Sequence, residues 1–231
     1  MKSWVFSYIG GWYSGGTRTL PCVMIGADYQ RDWPTYFDFV GDSGARETLL
    51  AAMDSHGPVD PAHPPLALDV ACGEGRDVRE LLRRGWRVAA FDSSAEGLER
   101  LRARVEPSQT ARLTLHRLTM EAAATSTLLP VRVDLVNASF ALPFCEPSAF
   151  AALWSRLRGM LAPGGRFAGQ IFGDRDEWAK VRPASHYTRE AMLRLFEGFV
   201  MERCDEVEKD GSDAMGSTKR HHLFHVVARK A

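Results

Sequence analysis

The chain has 231 residues, of which 45% are hydrophobic and 25% charged, with 29 Lys+Arg set against 29 Asp+Glu. At roughly 150 residues per domain this is one large domain or a domain with an appendage, big enough to bury a core without disulfides or a structural metal. Zero net charge argues against a nucleic-acid partner, because such binding draws its affinity from clustered Lys and Arg that release counterions. Cys22, Cys72, Cys145 and Cys204 are scattered with no C-x-x-C pair, which reads as the reduced thiols of a cytoplasmic protein. No apolar run approaches the roughly 18 residues of a spanning helix, so no membrane partner is expected. Residues 1–23, with the aromatic and glycine-containing run WVFSYIGGWY, make a poor signal peptide and read as a disordered or misassigned extension. Residues 24–63 read as an N-terminal helical cap, linked through the Pro-rich segment 56–65 to the main domain at 64–231.

From Leu66 onward, short apolar runs alternate with segments of helical period, the pattern of a parallel sheet covered by helices. LALDVA (66–71) is a buried-strand run. The helix after it places Val78, Leu81 and Leu82 on one face and ends at Arg83, Arg84 and Gly85. WRVAAFD (86–92) is the second strand, and Ser93 with Glu96 forms a capping box for a helix faced by Leu98, Leu101 and Val105. ARLTLHR (111–117) is the third strand, before a weak helix over 120–128. VRVDLVNASF (131–140) is the fourth, and Phe150, Leu153, Trp154, Leu157 and Leu161 make the core stripe of the next helix. Pro163, Gly164 and Gly165 turn into a fifth strand over 166–173. A helix carrying Met192, Leu195, Phe196 and Phe199 then leads to strands over 200–208 and 222–229, joined by a hairpin loop at 209–219.

LDVACGEGRD (68–77) joins the first strand to its helix through Gly73 and Gly75, where small residues let the backbone approach a ligand at the helix N-terminus. A dinucleotide loop would put a third glycine at Val78. Asp69 and Glu74 would also repel a pyrophosphate, whereas they suit a ligand bearing an ammonium and a sulfonium. Asp92 ends the second strand 19 residues after Gly73. Asn137 lies in an apolar strand, and its C-terminal end is where open α/β sheets bind ligands.

The run from Asp69 to Asp77 resembles motif I of class I S-adenosylmethionine-dependent methyltransferases, Val133 to Asn137 resembles motif IV, and Leu161 to Gly165 the turn before the fifth strand. FALPFC (140–145) and GDRD (173–176) are further similar to small bacterial enzymes related to tellurite-resistance methyltransferases. The resemblance covers residues 32–229. It implies a doubly wound, Rossmann-like α/β fold with a seven-stranded, mostly parallel sheet and an antiparallel last strand. It also implies S-adenosyl-L-methionine as cofactor, Asp92 on both ribose hydroxyls, and Met120 and Glu121 at the adenine pocket. Asp69, Ala71, Gly73, Gly75, Ser93, Asn137 and Phe140 complete the implied cofactor site, with Arg46 as partner of the cofactor carboxylate.

Methyl transfer is an in-line displacement for which positioning supplies much of the acceleration. A thiolate or metalloid oxyanion needs little base help, whereas a hydroxyl or ammonium needs a proton acceptor. Asp174, Asp176 and His186 are the candidates for that role, and Arg175 for orienting an anionic acceptor. The acceptor is expected to be a small molecule and the protein a monomer or homodimer. Trp33, Tyr36 and Phe37 read as part of the cap over the cofactor, with Tyr36, Phe39 and Val40 as a core-packing face. His221, His222 and His225 would need ligands from elsewhere to hold a metal, and none is expected. Two other readings stay open: a nicotinamide-dependent oxidoreductase, and a non-catalytic module that binds the cofactor.

Overall fold

The computed structural model describes residues 33–40, 43–180, 185–213 and 216–231. The expectation for residues 1–23 lies outside these, as do residues 24–32 of the expected cap. Two helices come first, α1 (Trp33–Val40) and α2 (Glu47–His56). The alternating part follows as β1 (Leu66–Val70), α3 (Arg76–Arg83), β2 (Arg87–Asp92), α4 (Ala95–Arg104), β3 (Leu113–Arg117) and a single turn α5 (Met120–Ala123). It continues as β4 (Val133–Ala138), α6 (Pro147–Met160), β5 (Leu161–Gly173), β6 (His186–Tyr187), α7 (Arg189–Leu195), β7 (Phe199–Ser212) and β8 (Thr218–Lys230).

One sheet runs in the order β3-β2-β1-β4-β5-β8-β7, with β6 beside β5. The first five strands pair in parallel, while β8 is antiparallel to both β5 and β7. The doubly wound fold is therefore the expected one. The two-residue β6 is an addition that no sequence period can announce, since two residues carry none.

Side chains alternate across each strand, so every strand feeds two cores. Ala67, Val88, Ala90, Leu135, Ala168 and Val227 pack with α2, α3 and α4. Leu68, Phe91, Val136, Phe167, Ile171 and Phe224 pack with α6 and α7. Through Leu49, Ala52 and Met53, α2 is part of the first layer. Strand order reverses between β1 and β4, and a crevice at such a switch point is where open α/β sheets bind ligands.

Several element expectations need correction. The buried residue of α1 is Phe37, whereas Phe39 is 57% exposed, so the face expected from Tyr36, Phe39 and Val40 is not the packed one. The N-cap of α4 is Ser94, whose hydroxyl accepts from Gly97 N–H; Asp92 Oδ1 takes the Ser94 N–H, so the helix starts one residue later than the Ser93 box implies. The fourth strand is shorter than the apolar run, with Val131 89% exposed before it. The hairpin is longer: β7 reaches Ser212 and β8 resumes at Thr218, because charged pairs such as Glu208 with Arg220 continue the ladder where apolar alternation has stopped. Those same charges line β7, the sheet's edge strand, and guard it against pairing with another chain.

Candidate functional site

The loop after β1 turns through three left-handed residues, Ala71, Gly73 and Gly75, with φ of 52°, 54° and 80°. Gly75 has a packing reason as well: a Cβ there would fall 2.1 Å from Leu101 Cδ1 on α4. A Cβ on Gly73 would lie 3.0 Å from the Phe37 ring, so α1 rests on the loop. Val78, where a dinucleotide loop would have its third glycine, is fully buried in the core beneath α3.

The strand ends bring three acids around this loop. Asp92 Oδ2 accepts from Gly73 N–H at 2.7 Å, which ties the loop to β2. Burial raises the Asp92 carboxyl against the pull of its backbone donors. Asp69 on β1 and Asp77 on α3 accept from the same Asn137 amide, at 2.8 and 2.9 Å, and Ser139 donates to the other end of that amide. Burial first, and then the Asp77 charge, push Asp69 well above the usual carboxylate range. Asp77 also receives the backbone N–H of Arg46 at 2.9 Å, which fixes the start of α2 over the site. No ion pair to Asp69 or Asp77 forms among the described residues, and the cation near enough for its charge to act on both is Arg76.

The Arg46 guanidinium lies 4.5 Å above the Phe140 ring, and its buried Nε has no hydrogen-bond partner among the described residues. Arg76 is close enough that, after burial, Arg46 is the second cause lowering its proton affinity. Two guanidinium groups therefore stand together beside the acidic pocket. Phe140 has a positive φ of 53°, and its N–H is held by Gln170 Oε1 at 2.9 Å. Gln170 is itself buried and donates to Thr48 on α2.

The structure thus brings together Asp69, Ala71, Gly73, Gly75, Asp92, Asn137, Phe140 and Arg46. Ser93 is exposed beyond β2. Met120 packs against the core, and the Glu121 carboxylate takes the Glu146 N–H at 3.2 Å, closing the connection into α6. Asp174 and Arg175 stand past the end of β5, on the side of β8 and β7. Arg175 is engaged there by Glu206 and Glu208, each at 2.9 Å. Glu206, which also meets His222 and Arg189, is held down at about 2. Asp176 is fully buried and accepts from Lys219 Nζ and from the backbone N–H groups of Trp178 and His222. His186 lies on β6 with its ring 5.8 Å from Phe172.

Sequence reasoning missed three members of the site. Asp77 was legible only as a first-turn acid, Arg76 as its neighbour, and Gln170 as one polar residue in an apolar strand. That last was the available signal, because a lone amide in a buried strand must find partners.

Residues 67–165 match the methyltransferase domain family. No curated protein matches the chain by sequence. Among solved structures, TehB from Haemophilus influenzae superposes with a TM-score of 0.66 at 14% identity, over 85% of this chain and 66% of that one, so the chain spans about two thirds of TehB. The 1,6-didemethyltoxoflavin-N1-methyltransferase of Burkholderia thailandensis, solved with S-adenosylhomocysteine, gives 0.59 at 21% identity over 86% and 84%. Magnesium protoporphyrin IX methyltransferase from Synechocystis, solved with its methyl donor, gives 0.60 at 14% identity over 86% and 91%. Residues 67–165 thus match a methyltransferase domain, and the chain has the fold of these S-adenosylmethionine-dependent methyltransferases.

Proposed function

We propose that the protein transfers a methyl group from S-adenosylmethionine to a small-molecule acceptor in the cytoplasm. The observation that carries this is the Asp69–Asn137–Asp77 set, two buried acids on one amide that form no ion pair among the described residues. The donor set fits a ligand with a positive amino-acid head and a sulfonium. In this reading the Asp92 oxygens, already oriented by Gly73 and Ser94 N–H, have lone pairs left for two ribose hydroxyls. Arg46, with Arg76 beside it, takes the cofactor carboxylate. When bound, the cofactor supplies a methyl whose carbon accepts a lone pair from the acceptor while the carbon–sulfur pair returns to sulfur, and any proton displaced from the acceptor goes to a side chain of this protein.

The chain's own task is to orient the two partners and exclude water. Asp174 and His186 are the proton acceptors in this reading. Arg175 serves the acceptor side by holding the β5 exit against β7, since its guanidinium is engaged by glutamates. A nicotinamide site is disfavoured by the buried Val78 and by acids where a pyrophosphate would lie.

Calorimetric titration with S-adenosylhomocysteine tests the assignment. Micromolar binding that Asp92→Ala weakens about a hundredfold, as loss of a buried bidentate acceptor entails, is the expected result. Unchanged affinity in that variant, or binding of NADH in its place, would sink it.

A further inference from the structure

The side-chain amide of Gln170 lies buried in β5 and reaches three other segments. Its Oε1 accepts from Phe140 N–H at 2.9 Å, just past the end of β4. Its Nε2 donates to Thr48 Oγ1 on α2 at 3.1 Å and faces His225 Nδ1 on β8 at 3.4 Å. A backbone N–H can only donate, so Oε1 must be the end that meets Phe140, and the NH2 end is left for Thr48 and His225. Ala168 and Phe172, two residues away on either side along the same face of the strand, are buried and apolar. Packing alone would be served as well by hydrocarbon at position 170, and the distinctive work of the amide lies in what it orients.

It orients Arg46 and Phe140. Arg46 is the N-cap of α2, two residues before Thr48, and its own N–H goes to Asp77 Oδ1. Thr48 gives the start of that helix a second anchor, on Gln170. Phe140 is the ring 4.5 Å beneath the Arg46 guanidinium, and its φ of 53° is a conformation that persists only where surroundings enforce it. One amide thus sets both the helix that carries the guanidinium and the ring on which it lies. The Arg46 Nε, buried without a hydrogen-bond partner among the described residues, is left for an incoming acceptor.

We infer that Gln170 is a positioning residue for the amino-acid end of the cofactor: through Thr48 and Phe140 it holds the Arg46 guanidinium where the cofactor carboxylate arrives. This rests on the methyltransferase reading above, in which Arg46 takes that carboxylate, and it adds a residue that acts through Arg46 without touching the ligand.

The test is calorimetric titration of the full chain with two ligands. One is S-adenosylhomocysteine; the other is methylthioadenosine, which keeps adenine, ribose and sulfur but lacks the amino-acid head. Gln170→Met, which keeps the length of the side chain and removes its hydrogen bonds, should weaken S-adenosylhomocysteine about tenfold and methylthioadenosine less than twofold, the first being the scale of a lost hydrogen bond. Thr48→Val removes the α2 contact alone and should show the same selectivity at about threefold. Arg46→Met weakens S-adenosylhomocysteine by itself, and adding Gln170→Met to it should cost less than a further twofold, because no guanidinium is left to position. Thermal melts identify any variant that fails to fold; if Gln170→Met is one, Thr48→Val with and without Arg46→Met carries the test. The inference is overturned if the folded variants bind S-adenosylhomocysteine like the parent, if both ligands lose affinity equally, or if the loss persists in full without Arg46. Absence of S-adenosylhomocysteine binding by the unaltered chain would instead overturn the methyltransferase reading.

Discussion

Asp69 and Asp77, on different elements, are joined through one amide: Asn137 Nδ2 donates to Asp69 Oδ1 at 2.8 Å and to Asp77 Oδ2 at 2.9 Å. Removing the bridge leaves two buried carboxylates facing each other with nothing between them. Hydrogen bonds to charged groups contribute about 1.5–3 kcal/mol each. Asn137→Leu, which keeps the volume, is therefore expected to lower the unfolding free energy by about 3 kcal/mol in urea denaturation. S-adenosylhomocysteine affinity should fall with it. A variant as stable as the parent would mean that the acids are already neutral and independent.

The raised Asp69 carboxyl makes cofactor binding pH-dependent in a definite direction. Its folded value exceeds the unfolded 3.8, chiefly through burial and then the Asp77 charge. In the free protein the stability it contributes is thus present at low pH and lost as pH rises through the folded value. A ligand ammonium beside it favours the ionised form, so the complex holds fewer protons than the free protein. Affinity for S-adenosylhomocysteine should therefore increase as pH rises through that raised value, with net proton release. Calorimetry in phosphate and in imidazole, repeated over a pH series, measures the release from the difference in enthalpy. Asp69→Asn should abolish it, and buffer-independent enthalpy in the parent would show that no cation approaches Asp69.

Gly75 and Leu101 test the packing of the loop on α4. The left-handed φ of 80° already disfavours a side chain, and a new Cβ would sit 2.1 Å from Leu101 Cδ1. Left-handed strain of about 1 kcal/mol plus overpacking of about 1–3 kcal/mol predicts a loss of roughly 2–4 kcal/mol for Gly75→Ala. Leu101→Ala alone should cost about 3 kcal/mol as a cavity. The double variant should lose less than the sum, by about 1 kcal/mol or more, because the cavity admits the methyl. Strict additivity in thermal or urea denaturation would show that the loop moves away instead.

How much of this was legible depends on whether the signal was local. The strand–helix alternation and the glycine loop follow from apolar periods and from glycine spacing, which are properties of contiguous residues, whereas the doubly wound sheet and the role of Asp92 came from the resemblance to the methyltransferases. The ring contacts that join Trp33, Phe140, Phe144, Phe172 and Trp178 were not found, since these residues come from separate segments that only the fold unites. The α4 start slipped by one residue because two serines compete for the cap, and the Asp92 side chain decides between them. The hairpin was read too short because its outer rungs are paired charges, which carry no hydrophobic alternation.

Asp176 and Lys219 form a buried ion pair under Trp178, and the two partners are not equivalent. Asp176 also accepts from Trp178 N–H at 3.0 Å and from His222 N–H at 3.1 Å, so without the lysine it keeps two donors. Lys219, whose proton affinity burial lowers first of all, keeps the faces of Trp178 and Phe172 and the weaker pull of the Asp213 and Glu177 charges if the carboxylate is removed. Breaking a buried pair from one side costs about 3–5 kcal/mol when a charge is stranded. Asp176→Ala strands the ammonium and frees two backbone donors, so it should reach the upper end of that range. Lys219→Met leaves a carboxylate still held by two N–H groups and keeps an apolar stem against Trp178, so its loss should be smaller by about 1–2 kcal/mol. Urea denaturation of both variants gives the order. Near-ultraviolet circular dichroism of Trp178 should change in Asp176→Ala and stay close to the parent in Lys219→Met, because the backbone bond that sets the indole survives only in the second. The reverse order of stability would mean that Lys219, rather than Asp176, organises the exit of β5.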